Sequence, residues 1–203
     1  MLLYDERELV RVNCLKILEK GLTKGTSGNI SVFNREKGLF AISPSSMDYY
    51  QIRPEDVVVM DLEGKIVDGT RKPSIENVMH RIYYVEREDV NAVVHTHSTF
   101  ATAVSCLGEP LPAVTFLVRL SGSYEVPCAP YAKPGSEELA RLNFETGGHL
   151  NAVLLESHGL ITAGPNIDRA MFIAEEIEEV AKLYCITRAI GTPKIVPKEM
   201  MGF

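Results

Sequence analysis

His95-Thr96-His97 is the segment of this chain whose residue types and spacing are best suited to chemistry. It closes the apolar run Asn91-Ala92-Val93-Val94, which reads as a β-strand. A strand has period two, so residues i and i+2 leave the same face and two imidazoles at that spacing can close on one metal ion. A third histidine, His158, ends a second strand-like run, Ala152-Val153-Leu154-Leu155-Glu156-Ser157, just before Gly159. Three histidines delivered from two strand ends would make an open site of the zinc type, with a coordination position left for substrate. With five histidines in 203 residues, chance supplies an H-x-H about one time in ten. The metal reading therefore needs support from elsewhere in the chain.

Two further groups supply it. Glu76 follows Lys72-Pro73-Ser74-Ile75 and is expected one turn into a helix that precedes the histidine strand. Helix and strand pack together, so its carboxylate can approach His95 and His97; its ordinary role would be to complement the positive end of the helix dipole. His80, one turn later, and His149, after a Gly-Gly turn, receive no role. The second group is a set of small, hydroxyl-rich turns: Gly25-Thr26-Ser27-Gly28-Asn29, Ser43-Pro44-Ser45-Ser46 and Pro73-Ser74. Their backbone N–H groups and short donors can cradle a phosphate without lysine or arginine. No Gly-Lys-Ser/Thr follows, so this is not a nucleotide P-loop, and no dinucleotide fingerprint is present.

The elements that must position these residues can be read from the pattern. Val10, Cys14, Ile17 and Leu18 form the stripe of an amphipathic helix ended by Gly21. Ile30 to Phe33 and Leu39 to Ile42 read as a hairpin, and Asp56 to Asp61 with Lys65 to Val67 as another. A helix over Glu76 to Glu86 takes Ser74 as its N-cap, and Ser98 is expected to cap a short helix after the histidine strand. A strand is expected around Ala113 to Val118, and Ser136 opens a helix closed by Gly147-Gly148. The last helix, about Ile167 to Ile190, opposes an apolar stripe to Glu175, Glu176, Glu178 and Glu179, read as a solvated face. This order predicts an α/β fold of three layers, a mixed and mostly antiparallel central sheet flanked by helices, in one domain over residues 1–203.

Composition narrows the function class. A chain with 45% hydrophobic residues, net charge −6 and pI about 5.4 has no basic block for a nucleic acid or an anionic membrane. No apolar stretch approaches transmembrane length, and the early charges Asp5-Glu6-Arg7-Glu8 do not suit a signal peptide. Cys14, Cys106, Cys128 and Cys185 form no CxxC pair and read as buried thiols of a reducing, cytoplasmic compartment.

Taken together, the chain resembles class II aldolases of the fuculose-phosphate aldolase type, a group that also holds ribulose-phosphate 4-epimerase and the adducin head domain. The resemblance runs from Gly25-Thr26-Ser27-Gly28-Asn29-Ile30-Ser31 through Pro73-Ser74-Ile75-Glu76 and His95-Thr96-His97 to Pro127-Cys128-Ala129-Pro130-Tyr131 and Ser157-His158-Gly159-Leu160. It implies one Zn2+ per subunit held by His95, His97, His158 and Glu76, with Glu76 as the catalytic acid/base. It also implies a substrate phosphate on Gly28, Asn29, Ser45, Ser46, Ser74 and the backbone of Ile75. The implied reaction is retro-aldol cleavage of a ketose 1-phosphate, such as L-fuculose 1-phosphate or a similar deoxy-ketose phosphate, to dihydroxyacetone phosphate and an aldehyde such as lactaldehyde. The implied partner is a small phosphorylated sugar, and the implied assembly a homotetramer with sites at subunit boundaries.

Three positions depart from the family pattern. Ile75 replaces a second serine, Phe116 stands where a neighbouring subunit's tyrosine is expected, and Pro134 aligns with an aromatic residue of the aldehyde pocket. The family's C-terminal cover is expected to be shorter or absent after Gly191-Thr192-Pro193. The same group leaves three alternatives: a pentulose-phosphate 4-epimerase, a methylthioribulose-phosphate dehydratase-like enzyme, and a non-catalytic adducin-like assembly module.

Overall fold

Alternation along the central strands decides where the chemistry-bearing residues point. The computed structural model describes residues 1–202. In β5 (Ala92–Thr96), Ala92 and Val94 join an apolar cluster with Val10, Ile17 and Ala170, whereas Val93 joins another with Met79, Tyr83 and Leu139. His95 follows Val93 by two and faces that second side; His97 lies just past the strand end. In β1 (Asn29–Asn34), Ile30 and Val32 take the first side and Phe33 the second. Asn29 and Ser31 share the side of Phe33 by the same period. In β10 (Gly159–Gly164), Ile161 and Ala163 likewise turn to the second side.

Two helices cover that second side, α2 (Asn77–Glu86) and α4 (Glu137–Gly147). The opposite side is covered by α1 (Tyr4–Glu19), α3 (Thr99–Ser105) and α5 (Ile167–Ile190). Burial on both faces is why β5 reads as a continuous apolar run, each buried Val contributing about 1.5–3 kcal/mol. The other strands are β2 (Leu39–Ile42), β3 (Val58–Asp61), β4 (Ile66–Asp68), β8 (Cys128–Ala129) and β9 (Ala152–Leu155). Among the described residues they form one eight-stranded sheet, ordered β4-β3-β2-β1-β5-β10-β9-β8. Every pair is antiparallel except β8 with β9. The three-layer, mostly antiparallel α/β arrangement expected from the sequence is the one observed.

Several local expectations are corrected. The strand expected around Ala113 to Val118 is absent: β6 (Leu111–Pro112) pairs with β7 (Glu125–Val126) in a separate ribbon, and Phe116–Ser121 winds into a 3-10 helix. The Thr115 hydroxyl accepts from the Leu117 amide, a local bond that competes with extension. Pro54–Asp56 is also a 3-10 turn, so the third strand starts at Val58. Ser98 occupies the N-cap of α3 without capping it; Glu178 of α5 accepts from the Phe100 and Ala101 amides at 2.9 and 2.8 Å. One residue of the supposed solvated acidic face therefore ties down the helix that follows His97. Of the cysteines only Cys14 is buried; Cys106 is exposed, and Cys128 and Cys185 are partly so. The tail folds back onto the α3–α5 cluster, where Val196 donates to the Ala113 carbonyl and Met201 is buried.

The register across the centre is tight. Asn29 pairs with His95 on one side of β5, and Ile161 pairs with it on the other. A Cβ at Gly159 would sit 2.3 Å from the Thr96 carbonyl and 3.2 Å from the His97 ring. Glycine here lets β10 approach β5 closely enough for His158 to join the other imidazoles. Gly159→Ala should cost about 1–3 kcal/mol through overpacking, read as a lower chemical-denaturation midpoint at unchanged slope.

Candidate metal centre

Glu76 is not inside α2, as expected from the sequence, but at its N-cap, with φ −94° and ψ 14°. Ser74, the expected N-cap, instead accepts from the Glu76 amide at 3.3 Å. The shift turns the carboxylate off the helix and onto the strand ends. Ser157, left-handed at φ 53°, makes the β9–β10 turn that returns His158 to the same point. Glu76, His95, His97 and His158 thus each offer a ligand atom within 4.8 Å of the others. His95 Nε2 lies 2.9 Å from His97 Nε2 and 3.3 Å from Glu76 Oε2; His158 Nε2 lies 3.2 Å from Glu76 Oε1. The three rings are mutually edge-on, with centroids 4.8–5.0 Å apart.

The protonation states favour a cation. His95 Nδ1 donates to the Leu160 carbonyl at 2.9 Å, which leaves the Nε2 lone pair facing the cluster. Burial pushes the His95 pKa down to about 3, more than the nearby Glu76 raises it, so the ring is neutral at physiological pH. Burial also lowers His97, with His158 adding to the effect. Burial by itself would raise Glu76, but the facing His95 and His158 and the Asn29 amide hold it well below the ordinary carboxylate range. Among the described residues, Glu76 Oε1 and His158 Nδ1 are buried without a hydrogen-bond partner. An anionic oxygen and three imidazole nitrogens converge with too few protons to satisfy them, and a divalent ion resolves the deficit. Three nitrogens and one oxygen suit zinc.

A cleft of about 250 Å³ opens beside these ligands. It brings together Gly28, Asn29, Ser45, Ser46, Ser74, Ile75 and Glu76, with His97, His158 and Pro134 on the same wall. Two hydroxyl-rich turns are fastened to each other: the Ser45 amide donates to Lys72, and the Ser74 amide to Ser43. Gly28 has φ 76°, and a Cβ there would meet the His95 carbonyl at 2.8 Å, so only glycine lets this turn lie on the metal-ligand strand. Phe116 is 63% exposed and does not line its own chain's cleft.

Sequence reasoning missed His80, Ser31 and Tyr84. His80 is fully buried, bonded through Nε2 to Asn29 and through Nδ1 to Ser31, which in turn meets Tyr84. Its spacing from Glu76, i and i+4 on one helix face, was the available signal. His149 is exposed and takes no part.

Residues 7–185 match the family described as Class II Aldolase and Adducin N-terminal domain. The chain belongs to the class II aldolase family. It is 51% identical over 201 residues to the 5-deoxy-D-ribulose 1-phosphate aldolase of Bacillus thuringiensis serovar kurstaki, covering 99% of this chain and 94% of that one. It is 40% identical over 181 residues to the 5-methylthioribulose-1-phosphate/5-deoxyribulose-1-phosphate aldolase of Rhodospirillum rubrum, covering 89% and 80%. Among solved structures it resembles an L-fuculose 1-phosphate aldolase with a TM-score of 0.94 and 42% identity, over 97% of this chain and 92% of that one. Class II aldolases are metal-dependent, in keeping with the Glu/His cluster of this family member. Among the described residues no helix is long and apolar enough to cross a membrane.

Burial of the histidine behind the centre makes stability pH-dependent. Desolvation lowers the His80 pKa from 6.5 to about 4. Between these values the unfolded chain binds the additional proton, so stability falls as pH drops through this window. The expected loss from His80 is on the order of 3 kcal/mol. Denaturant melts of the chelator-treated protein at neutral and mildly acidic pH check it; equal stability at both would show that His80 is not held neutral.

Proposed function

We propose that this chain is a zinc-dependent aldolase that cleaves a deoxy-ketose 1-phosphate between C3 and C4. The observation that carries the reading is the convergence of Glu76, His95, His97 and His158 at the end of a cleft walled by serines and backbone amides. That cleft offers no lysine or arginine among its lining residues, so a phosphate there would be held by Gly28, Asn29, Ser45, Ser46, Ser74 and the backbone of Ile75. Its phosphate end and its ligand end lie side by side, which suits a carbonyl and hydroxyl one or two bonds from a phosphate ester.

The chemistry follows from these placements. Cleavage removes the proton of the C4 hydroxyl, turns C4 into an aldehyde and leaves the C3 electron pair as an enediolate. A divalent metal in the centre supplies a Lewis acid for that charge, worth several kcal/mol. The serine-lined wall fixes the phosphate and so the position of C3 relative to Glu76. Glu76, ionised at rest and buried beside the cleft, takes up the proton released from the C4 hydroxyl and delivers it to C3, which completes dihydroxyacetone phosphate. The aldehyde is acetaldehyde for a 5-deoxypentulose 1-phosphate and lactaldehyde for L-fuculose 1-phosphate. Similarity to the Bacillus thuringiensis enzyme over nearly the whole chain favours the 5-deoxypentulose substrate. Exposed apolar side chains, including Ile75 at the cleft and Phe116, support a homotetramer with sites at subunit boundaries.

A coupled assay for dihydroxyacetone phosphate across ketose 1-phosphates tests the reading. 5-Deoxyribulose 1-phosphate should have the highest kcat/KM, and chelation should abolish turnover. Activity that survives complete metal removal would overturn the metal-dependent mechanism, and a 4-epimer as product would favour the epimerase. Glu76→Gln should retain metal and lower kcat by at least about 100-fold; unchanged turnover would remove Glu76 as the acid/base.

A further inference from the structure

Behind the cleft, a file of buried hydrogen bonds starts on α2, passes back and forth between α2 and β1, and ends on Glu76. Tyr84 Oη meets Ser31 Oγ at 2.5 Å, and Ser31 Oγ meets His80 Nδ1 at 2.7 Å. His80 Nε2 meets Asn29 Oδ1 at 2.5 Å, and Asn29 Nδ2 donates to Glu76 Oε2 at 2.8 Å. All five residues are at most 5% exposed. Substrate facing Glu76 reaches none of Tyr84, Ser31 or His80, which do not line the cleft.

The direction of every bond follows from the carboxylate. An ionised carboxylate only accepts, so the Asn29 amide must present NH2 to Glu76 and its oxygen to His80. A neutral imidazole carries one proton, and His80 must place it on Nε2 to donate to that oxygen. Nδ1 is then an acceptor, the Ser31 hydroxyl donates to it, and Tyr84 donates to Ser31. The opposite polarity would set the Asn29 oxygen against Glu76 Oε2, two acceptors within 2.8 Å.

We propose that His80 is a positioning residue: in its Nε2-protonated form it locks the Asn29 amide so that Glu76 Oε2 is anchored as an acceptor and Oε1 is the oxygen that carries the proton. The assignment rests on the reading of Glu76 as acid/base. It accords with Oε1, which faces His158 Nε2 at 3.2 Å and has no hydrogen-bond partner among the described residues. It also gives Asn29 two duties, since the residue lines the cleft while its amide is oriented from behind. Without a donor at His80, the amide can rotate and the carboxylate loses its fixed edge, although every metal ligand and every cleft serine remains.

Two measurements test it. Long-range 1H–15N spectra of the wild-type protein, zinc-loaded and chelator-treated, should show His80 protonated at Nε2 in both, with the His80→Gln spectrum identifying the signal. Protonation at Nδ1 would overturn the proposal, whatever the reaction. In steady-state kinetics, His80→Leu should lower kcat by roughly 10- to 100-fold with KM changed less than about threefold and metal content retained. His80→Gln, whose side-chain amide can donate to the Asn29 oxygen, should recover most of that loss. Equal losses in both variants, or a loss that tracks metal content, would reduce His80 to a packing residue and overturn the proposal. If His80→Leu does not fold, the tautomer measurement decides. Failure of the Glu76 reading is told apart by the Glu76→Gln variant, whose turnover does not depend on the His80 tautomer.

Discussion

Everything at the site depends on the register that sets His95 between Asn29 of β1 and Ile161 of β10. A slip of one residue in either pairing would exchange the faces of the strand and turn its polar residues into the opposite helical layer. In the observed register, Asn29, Ser31, His95 and the turn bearing His158 gather towards one end of the central strands, on the side covered by α2. The glycines at 28 and 159 make this spacing sterically feasible, because each lies against a backbone carbonyl of the histidine strand.

The centre is electrostatically incomplete as a set of protein groups. An ionised carboxylate at low exposure is costly unless its lone pairs are engaged. Here one oxygen is anchored by Asn29 while the other faces His158. Burial disfavours the charged forms of His95 and His97, which keeps their lone pairs available and leaves the charge of a bound divalent ion undiminished. Holding such groups together works against stability, and the surrounding apolar clusters on both sides of the sheet offset that cost.

Much of this was legible because two periodicities and a few side-chain chemistries carried it. The H-x-H spacing, the apolar run before it and the second strand ending at His158 predicted three imidazoles at one place. The small hydroxyl-bearing turns stood out because their composition suits no regular element, and they line one cleft with Glu76, His97 and His158. Helix starts were less legible. Ser74 and Ser98 both look like caps, yet one bonds to Glu76 and the other is replaced by Glu178, which lies 78 and 77 residues along the chain from the amides it binds. Ala113 to Val118 has strand-forming residues, but among the described residues no strand pairs with it, and a local hydroxyl bond accompanies the 3-10 turn that begins at Phe116.

The sequence by itself determined which side chains could ligate a metal and which turns could hold a phosphate, since those depend on residue type and short-range spacing. It also determined the layer order, because two-sided burial and amphipathic periodicity are local patterns. Only the tertiary structure decided that Glu76 sits at the helix entrance, that its Oε2 is tethered to Asn29, and that His80 stands behind that tether. These depend on how β1, β5 and α2 meet across residues far apart in the chain. The direction of each hydrogen bond there is imposed by the resting carboxylate, which is ionised and can only accept.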